Sequence, residues 1–285
     1  MLDGKAVIVT GAAQGLGRAF AVGAAQAGAR VLVADIDASG AQETAALIAA
    51  AGGEASPFIG SVADWEAAAA MVATCQERFG SLDGLVNDAA LFVTGPAEAE
   101  TPERIRALVE VNVHGVLFSG VHALRAMRAQ GRGGSIVNLT SAARAGRRQM
   151  SVYAATKGAV ASVTYAWALE GAEFGVRVNA LAPRALTNMT LMGTDSPPDH
   201  APPEHVAPLV TYLLSDQAHA VNGQIIHFDG RGLAIAAAPG LAAAAVRPEP
   251  WSVADVGDVL AGELRAAAQP IGWTGGAVSG RPAVS

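Results

Sequence analysis

The feature that most constrains this chain is an alternation of two kinds of segment. Short runs rich in Val, Ile and Leu take turns with longer Ala-rich stretches at helical period, from Lys5 to Phe228. Short, fully apolar runs read as strands buried on both faces, and the helices between them read as crossovers. Strands are expected at 5–10, 30–36, 56–62, 82–89, 135–139, 176–182 and 224–228. Helices are expected at 15–27, 38–51, 64–79, 101–130, 151–174 and 203–214. Thr101 and Pro102 supply an N-cap and first-turn pair for the longest of these. Such alternation implies an α/β fold, a doubly wound parallel sheet of seven strands with helices on both faces.

Composition narrows the options. A chain of 285 residues, 51% hydrophobic and 15% charged, has ample material for a buried core. The formal net charge is -6 and the basic residues are scattered, so no nucleic-acid partner is expected. Cys75 is the single cysteine, which rules out an intramolecular disulfide. The six histidines show no ligand spacing, so no metal is expected. No apolar run reaches the roughly 18 residues of a membrane helix, and the first strand starts near the N-terminus with no basic-then-apolar leader. No membrane partner is expected, and the expected location is cytoplasmic. Beyond Gly232 Ala, Gly and Pro dominate. Residues 1–232 therefore read as one domain and 233–285 as a C-terminal extension with one short helix at 253–267. Trp251, Val253, Val256, Val259 and Leu260 stripe that helix, and Trp273 lies beyond it.

Between the first strand and the first helix stands Thr10-Gly11-Ala12-Ala13-Gln14-Gly15-Leu16-Gly17. Glycines allow a tight turn and let a pyrophosphate approach the backbone, while the helix N-terminus offers N–H groups and partial positive charge. A Gly-rich turn without a ligand has the same composition; its position after the first strand favours dinucleotide binding and a Rossmann fold. Asp35 ends the second strand, eighteen residues after Gly17. A carboxylate there can accept hydrogen bonds from adenosine ribose hydroxyls and would repel a 2′-phosphate; the plainer alternative is that it caps the next turn. Gln14 stands where a basic residue would serve NADP, and Arg18 is the remaining candidate for that role. The expected cofactor is NAD, with NADP disfavoured.

Tyr153 and Lys157 are four residues apart on a predicted helix and share a face. A free tyrosine titrates at about 10; a nearby ammonium favours the phenolate, so the pair can exchange a proton with a carbinol oxygen. Ser141, twelve residues before Tyr153, can hold the same oxygen, and Asn112 can hold a water behind Lys157. Tyr-x-x-x-Lys alone is common on exposed helices; the order of the pieces gives it weight.

Together these residues resemble the short-chain dehydrogenase/reductase family. The matching pieces are the Thr10–Gly17 loop, Asp35, Asn87, Asn112, Ser141, Tyr153-x-x-x-Lys157, Val178-Asn-Ala-Leu-Ala-Pro183 and Asn222-Gly-Gln-Ile-Ile-His-Phe-Asp-Gly230, in order over residues 1–232. The resemblance implies catalytic roles for Asn112, Ser141, Tyr153 and Lys157. It also implies cofactor contacts from Gly11, Gln14, Gly15, Leu16, Gly17, Asp35, Ile36, Ser61, Val62, Asn87, Ala89, Tyr153, Lys157, Pro183 and Thr187. A homotetramer through the two longest helices is implied as well. Some positions depart from the pattern: Asp88 and Ala90 in Asn87-Asp88-Ala89-Ala90, Ser61 where an Asp often contacts adenine, and Arg184 after Pro183. The short, Asp/Pro-rich 187–202 segment and the tail are similar to the dehydrogenase domain of multifunctional 3-hydroxyacyl-CoA enzymes. The expected activity is hydride transfer between nicotinamide and a small-molecule secondary alcohol or ketone. An NAD-using lyase or epimerase, and a dinucleotide-binding protein without turnover, are the alternatives.

Overall fold

The computed structural model describes residues 1–185, 201–237, 239–240, 242–245, 252–262 and 264–267. The expected strands form with small shifts at their ends. They are β1 (Ala6–Thr10), β2 (Arg30–Asp35), β3 (Glu54–Ile59), β4 (Gly84–Asn87), β5 (Gly134–Leu139), β6 (Val176–Pro183) and β7 (Ile225–Phe228). The spatial order is β3-β2-β1-β4-β5-β6-β7-β8, and every pairing through β7 is parallel. The order reverses between β1 and β4, which opens a crevice at the C-terminal ends of those strands.

Successive residues of a strand point to opposite faces. Val7 and Val9 of β1 therefore join Phe20, Val33 and Leu213 in one core, while Ala6 and Ile8 join Leu32, Met71, Met127 and Trp167 in another. The first core is roofed by α1 (Gly15–Gln26), α2 (Ala38–Ala50) and α7 (Ala207–Leu214). The second lies under α3 (Trp65–Phe79), α5 (Gly115–Gln130) and α6 (Ser151–Ala172). Asp64 caps α3 by accepting from Glu66 and Ala67 N–H groups, and Thr101 caps α4 (Pro102–Val109) by accepting from Arg104.

The structure departs from expectation in three places. The sheet has an eighth strand, β8 (Leu233–Ile235), antiparallel to β7, so it is not purely parallel. Asp229 accepts from the Arg231 and Gly232 N–H groups and folds the chain back; a connection this short can only join antiparallel strands. The 101–130 helix is broken by a π-helical segment, Glu110–His114, between α4 and α5. The 203–214 helix opens as a 3-10 turn, Pro203–His205, before α7. In the extension α8 (Val253–Ala261) forms with a capping box between Ser252 and Asp255; Val259 is buried and Val253 exposed. Thr187, Trp251 and Trp273 lie outside the described residues.

One continuous helical stretch, Pro102–Gln130, is long and apolar enough by length and composition to cross a membrane. Here it is a wall of the second core, into which it buries its own Val116, Ala123, Ala126 and Met127.

Candidate active site

The phosphate loop is shaped by glycine. Gly11 and Gly15 adopt positive φ, 69° and 57°, which residues with a Cβ rarely adopt. A Cβ on Gly17 would collide with the Gly11 carbonyl and come within 2.9 Å of the Asp88 carboxylate. Gln14 is the N-cap of α1, and Leu16 packs against the first core. The first turn of α1 thus faces the crevice with little between backbone and whatever enters.

Asp35 stands beside this loop. Its carboxylate accepts from the Ala13 N–H at 2.9 Å and from the Asp37 N–H at 3.0 Å, tying the loop to the end of β2. Asp37 caps α2 through the Gly40 N–H. Ile36 between them is exposed. Arg18 donates to the Ala13 carbonyl and pairs with Glu43 at 2.9 Å. Ser61 accepts from the Ala63 N–H in the turn before α3, and Val62 packs closely on Gly115 at the start of α5.

At the end of β4, Thr10 Oγ1 accepts from the Asp88 and Ala89 N–H groups at 3.1 and 3.2 Å. Ala89 lies so near Gly11 that a Cβ there would come within 2.8 Å of the Ala89 Cα. Asn87 donates to Asn138 at 2.9 Å, Asn138 to Thr164 at 3.0 Å, and Thr164 to the Val160 carbonyl at 2.8 Å. This chain of amides and hydroxyls locks β4, β5 and α6 together. The Asn87 Oδ1 is buried without a hydrogen-bond partner, a configuration that costs stability unless something donates to it.

The catalytic candidates meet at the C-terminal end of β5. The Ser141 and Tyr153 side chains hydrogen-bond each other. The Lys157 ammonium lies 5.7 Å from the Tyr153 ring centroid and donates to the Leu139 carbonyl at 2.8 Å. Asn112 sits in the π segment. It donates to the Leu91 carbonyl at 2.9 Å and to Thr156 at 3.2 Å, and accepts from the Leu91 N–H at 2.7 Å. Its amide therefore straps the loop after β4 onto α6. Pro183 closes β6 opposite Phe228, and the Arg184 N–H donates to the Phe228 carbonyl.

Electrostatics at this point differ from the spacing argument. Burial pushes the Tyr153 phenol up to about 12; the Ser141 hydrogen bond pulls it down, and Asp88 adds to the rise. Burial lowers Lys157 to about 8 against the upward pull of Asp88. Desolvation outweighs charge at both groups, so the expected acidification of Tyr153 is absent from the free chain. Asp88 itself is raised to about 7 by burial, opposed by Lys157 and by the Gly17 N–H that it accepts, and reinforced by Asp35.

Several residues of this site carried no role in the sequence reading. Thr10, Asn138 and Thr156 are polar residues whose partners come from distant segments. Arg144 donates to the Ser141 carbonyl, and its guanidinium lies 3.2 Å from His227 Nε2 across β6. Asp88 left a signal beforehand as a departure from a pattern, and Thr10 and His227 stood inside matching motifs without a role of their own.

The chain matches the short chain dehydrogenase family over residues 5–199. The chain belongs to the short-chain dehydrogenase/reductase family. It is 42% identical over 196 residues to a sorbitol dehydrogenase of Cereibacter sphaeroides, covering 68% of this chain and 75% of that protein. It is 32% identical over 246 residues to a 3-oxoacyl-[acyl-carrier-protein] reductase of Thermotoga maritima, covering 82% and 99%. The crystal structure of a short chain dehydrogenase from Mycobacterium avium superposes with a TM-score of 0.87 at 35% identity, covering 95% of this chain and 97% of that one. A match that long reaches past residue 232 into the extension. This member of the short-chain dehydrogenases is an oxidoreductase acting on CH–OH groups, and the family uses nicotinamide cofactors.

The residues present suit such a dinucleotide. The loop is closed to side chains at Gly11 and Gly17 and open to a ligand backbone, and the orphaned Asn87 Oδ1 lacks a donor in the same crevice.

Proposed function

We propose that this short-chain dehydrogenase oxidises a secondary alcohol to a ketone, or the reverse, with NAD(H), and that Tyr153 is its general acid–base. The observation that carries the reading is the Ser141–Tyr153 hydrogen bond with Lys157 against the same ring, at the strand ends that face the phosphate loop. When bound, the nicotinamide accepts or delivers the hydride. The chain's own residues do the rest. Gly11, Gly15, Leu16, Gly17 and the α1 N-terminus hold the pyrophosphate. Asp35 takes the adenosine ribose, with Gln14, Ile36, Ser61, Val62, Asn87, Ala89, Pro183 and Thr187 around the remainder. Ser141 holds the substrate oxygen, Tyr153 moves its proton, Lys157 supplies positive charge to Tyr153, and Asn112 orders the relay behind Lys157.

Support for NAD over NADP comes from charge. Asp35 lies next to the loop, and Arg18 is committed to Ala13 and Glu43. A 2′-phosphate at this point would meet a carboxylate without a free guanidinium to answer it. The relatives' names — a sorbitol dehydrogenase and a reductase of an acyl-carrier-protein thioester — support a substrate with a hydroxyl or keto carbon.

We also propose a homotetramer built on α4, α5 and α6. An open apolar groove there is lined by Ile105, Val109, Val113, Val152 and Ala155, and Leu169 of α6 is 78% exposed. Contiguous apolar surface of this kind marks an interface. Residues 1–232 are proposed as the catalytic domain and 233–285 as an extension.

The test is NADH formation and consumption across polyols, cyclic alcohols and 3-hydroxyacyl thioesters, with NADP as competitor. Turnover with NAD by wild type and a loss of at least about 10² in Tyr153→Phe is the expected result. Turnover by Tyr153→Phe at the wild-type rate overturns the assignment of the acid–base.

A further inference from the structure

Asp88 is a carboxylate in the position where the mechanism has least use for one. It follows β4, its backbone N–H is held by Thr10, and its side chain reaches across the crevice to the first turn of α1, where it accepts from the Gly17 N–H. It is within 2.9 Å of where a Gly17 Cβ would stand, so it lies against the floor of the phosphate loop. The charged and titratable groups that face it are few. Lys157 and Tyr153 come from α6, and Asp35 comes from the end of β2. On α1 the nearest cation, Arg18, is turned to Ala13 and Glu43.

In the free chain this arrangement is balanced. The carboxylate has one opposite charge, Lys157, one N–H at a helix N-terminus, and one like charge, Asp35. A pyrophosphate that enters the same loop adds negative charge beside it and competes for the same helix terminus. Like charges within a buried site cannot all stay ionised; the group with the most accessible proton equilibrium takes a proton. Asp88, raised to about 7 by burial, is that group. Once it is neutral, it ceases to oppose ionisation of Tyr153, which it opposes in the free chain.

We propose that Asp88 is a positioning residue that takes a proton from solvent when the dinucleotide pyrophosphate occupies the Gly11–Gly17 loop, so that its charge no longer opposes ionisation of Tyr153 in the cofactor-bound enzyme. Cofactor binding and activation of the acid–base become one event. The inference rests on the reading of the loop as a dinucleotide site, and it concerns only this chain's own carboxylate, which protonates by the reaction of one carboxylate with one proton.

The test is infrared difference spectroscopy of the full-length protein with and without NADH, at pH 7.5 or thereabouts (about half a unit above the Asp88 value of about 7), paired with NADH binding followed by fluorescence. The wild type is expected to bind NADH saturably and to gain the carbonyl stretch of a protonated carboxylic acid, sensitive to deuterium exchange. Asp88→Asn is expected to bind NADH without that band. Its affinity should change less than that of the wild type as pH rises through about 7, because no carboxylate remains to oppose the pyrophosphate. Asp88→Glu, should the Asn variant fail to fold, is expected to keep the band at a shifted frequency. Saturable NADH binding by the wild type without the band, or the same band in Asp88→Asn, overturns the proposal and leaves the dinucleotide reading standing. No saturable binding of NADH overturns both.

Discussion

The two sides of the sheet are built by different means. On the nucleotide side, β1 to β4 end in backbone: a loop with positive-φ glycines that Asp35 and Asp88 tether, and helix starts that Asp37 and Asp64 cap. On the other side, β5 to β8 end in side chains: the Ser141–Tyr153–Lys157 group, the Arg144 and His227 pair, and Arg184. A backbone site depends on the absence of atoms and tolerates no added one. A side-chain site depends on charge and desolvation and answers to pH.

The largest expected effect on the backbone half is that of Gly17→Ala. Gly17→Ala places a Cβ against the Gly11 carbonyl and beside Asp88. Overpacking costs about 1–3 kcal/mol, which corresponds to about five- to 150-fold weaker NADH binding if the loop absorbs it. Fluorescence titration checks it. An unchanged dissociation constant would mean that the loop does not carry the pyrophosphate.

Asp35→Ala removes the acceptor for the Ala13 and Asp37 N–H groups along with the charge. Its expected outcome is weaker NAD use and a smaller preference over NADP, by about tenfold or more in the ratio of kcat/KM, since one like-charge contact is worth several kcal/mol. Should the wild type already prefer NADPH, Asp35 faces away from the ribose.

On the side-chain half, His227 is lowered to about 4 by burial and then by Arg144. An unfolded histidine titrates at about 6.5, so below that value the unfolded chain binds a proton that the folded chain refuses. The stability associated with neutral His227 is therefore present above about 6.5 and lost as pH falls toward 4. His227→Gln is expected to flatten the fall in Tm across that window relative to the wild type. Parallel Tm curves for the two proteins would show that His227 is protonated in the native state.

The smallest effect lies in the extension. Gly257 is inside α8, and a Cβ there meets nothing within 4 Å. Gly257→Ala should stabilise α8 by about 1 kcal/mol, read as added hydrogen-exchange protection over 253–261, with activity unchanged. The same chemical change is thus damaging at Gly17 and favourable at Gly257.

This contrast also sorts what could be read from the sequence. The glycine loop and the Tyr153/Lys157 spacing are local patterns, set by residues a few positions apart: the loop glycines take positive φ and the pair shares α6. Asp35 ends β2 at the position read for it, with its carboxylate on the Ala13 and Asp37 N–H groups. β8 was hidden because three residues, Leu233 to Ile235, in an Ala/Gly-rich stretch carry no period. The π segment around Asn112 was hidden because no residue there breaks a helix; it coincides with the straps from Asn112 to Leu91 and Thr156. The Asp88–Gly17 bond and the Arg144–His227 approach join residues that are distant in sequence. The first needs β4 to lie beside β1, and the second needs Arg144 to reach across β6. Desolvation of Tyr153 was equally illegible, since burial is a property of the assembled site.

Tyr153 transfers the proton, and the glycine loop holds the cofactor without needing the Tyr153 hydroxyl. The most direct measurement is kcat of Tyr153→Phe beside its NADH binding. The account predicts a loss of about 10² to 10⁴ in kcat with NADH affinity retained. A Phe variant that turns over like the wild type would contradict it.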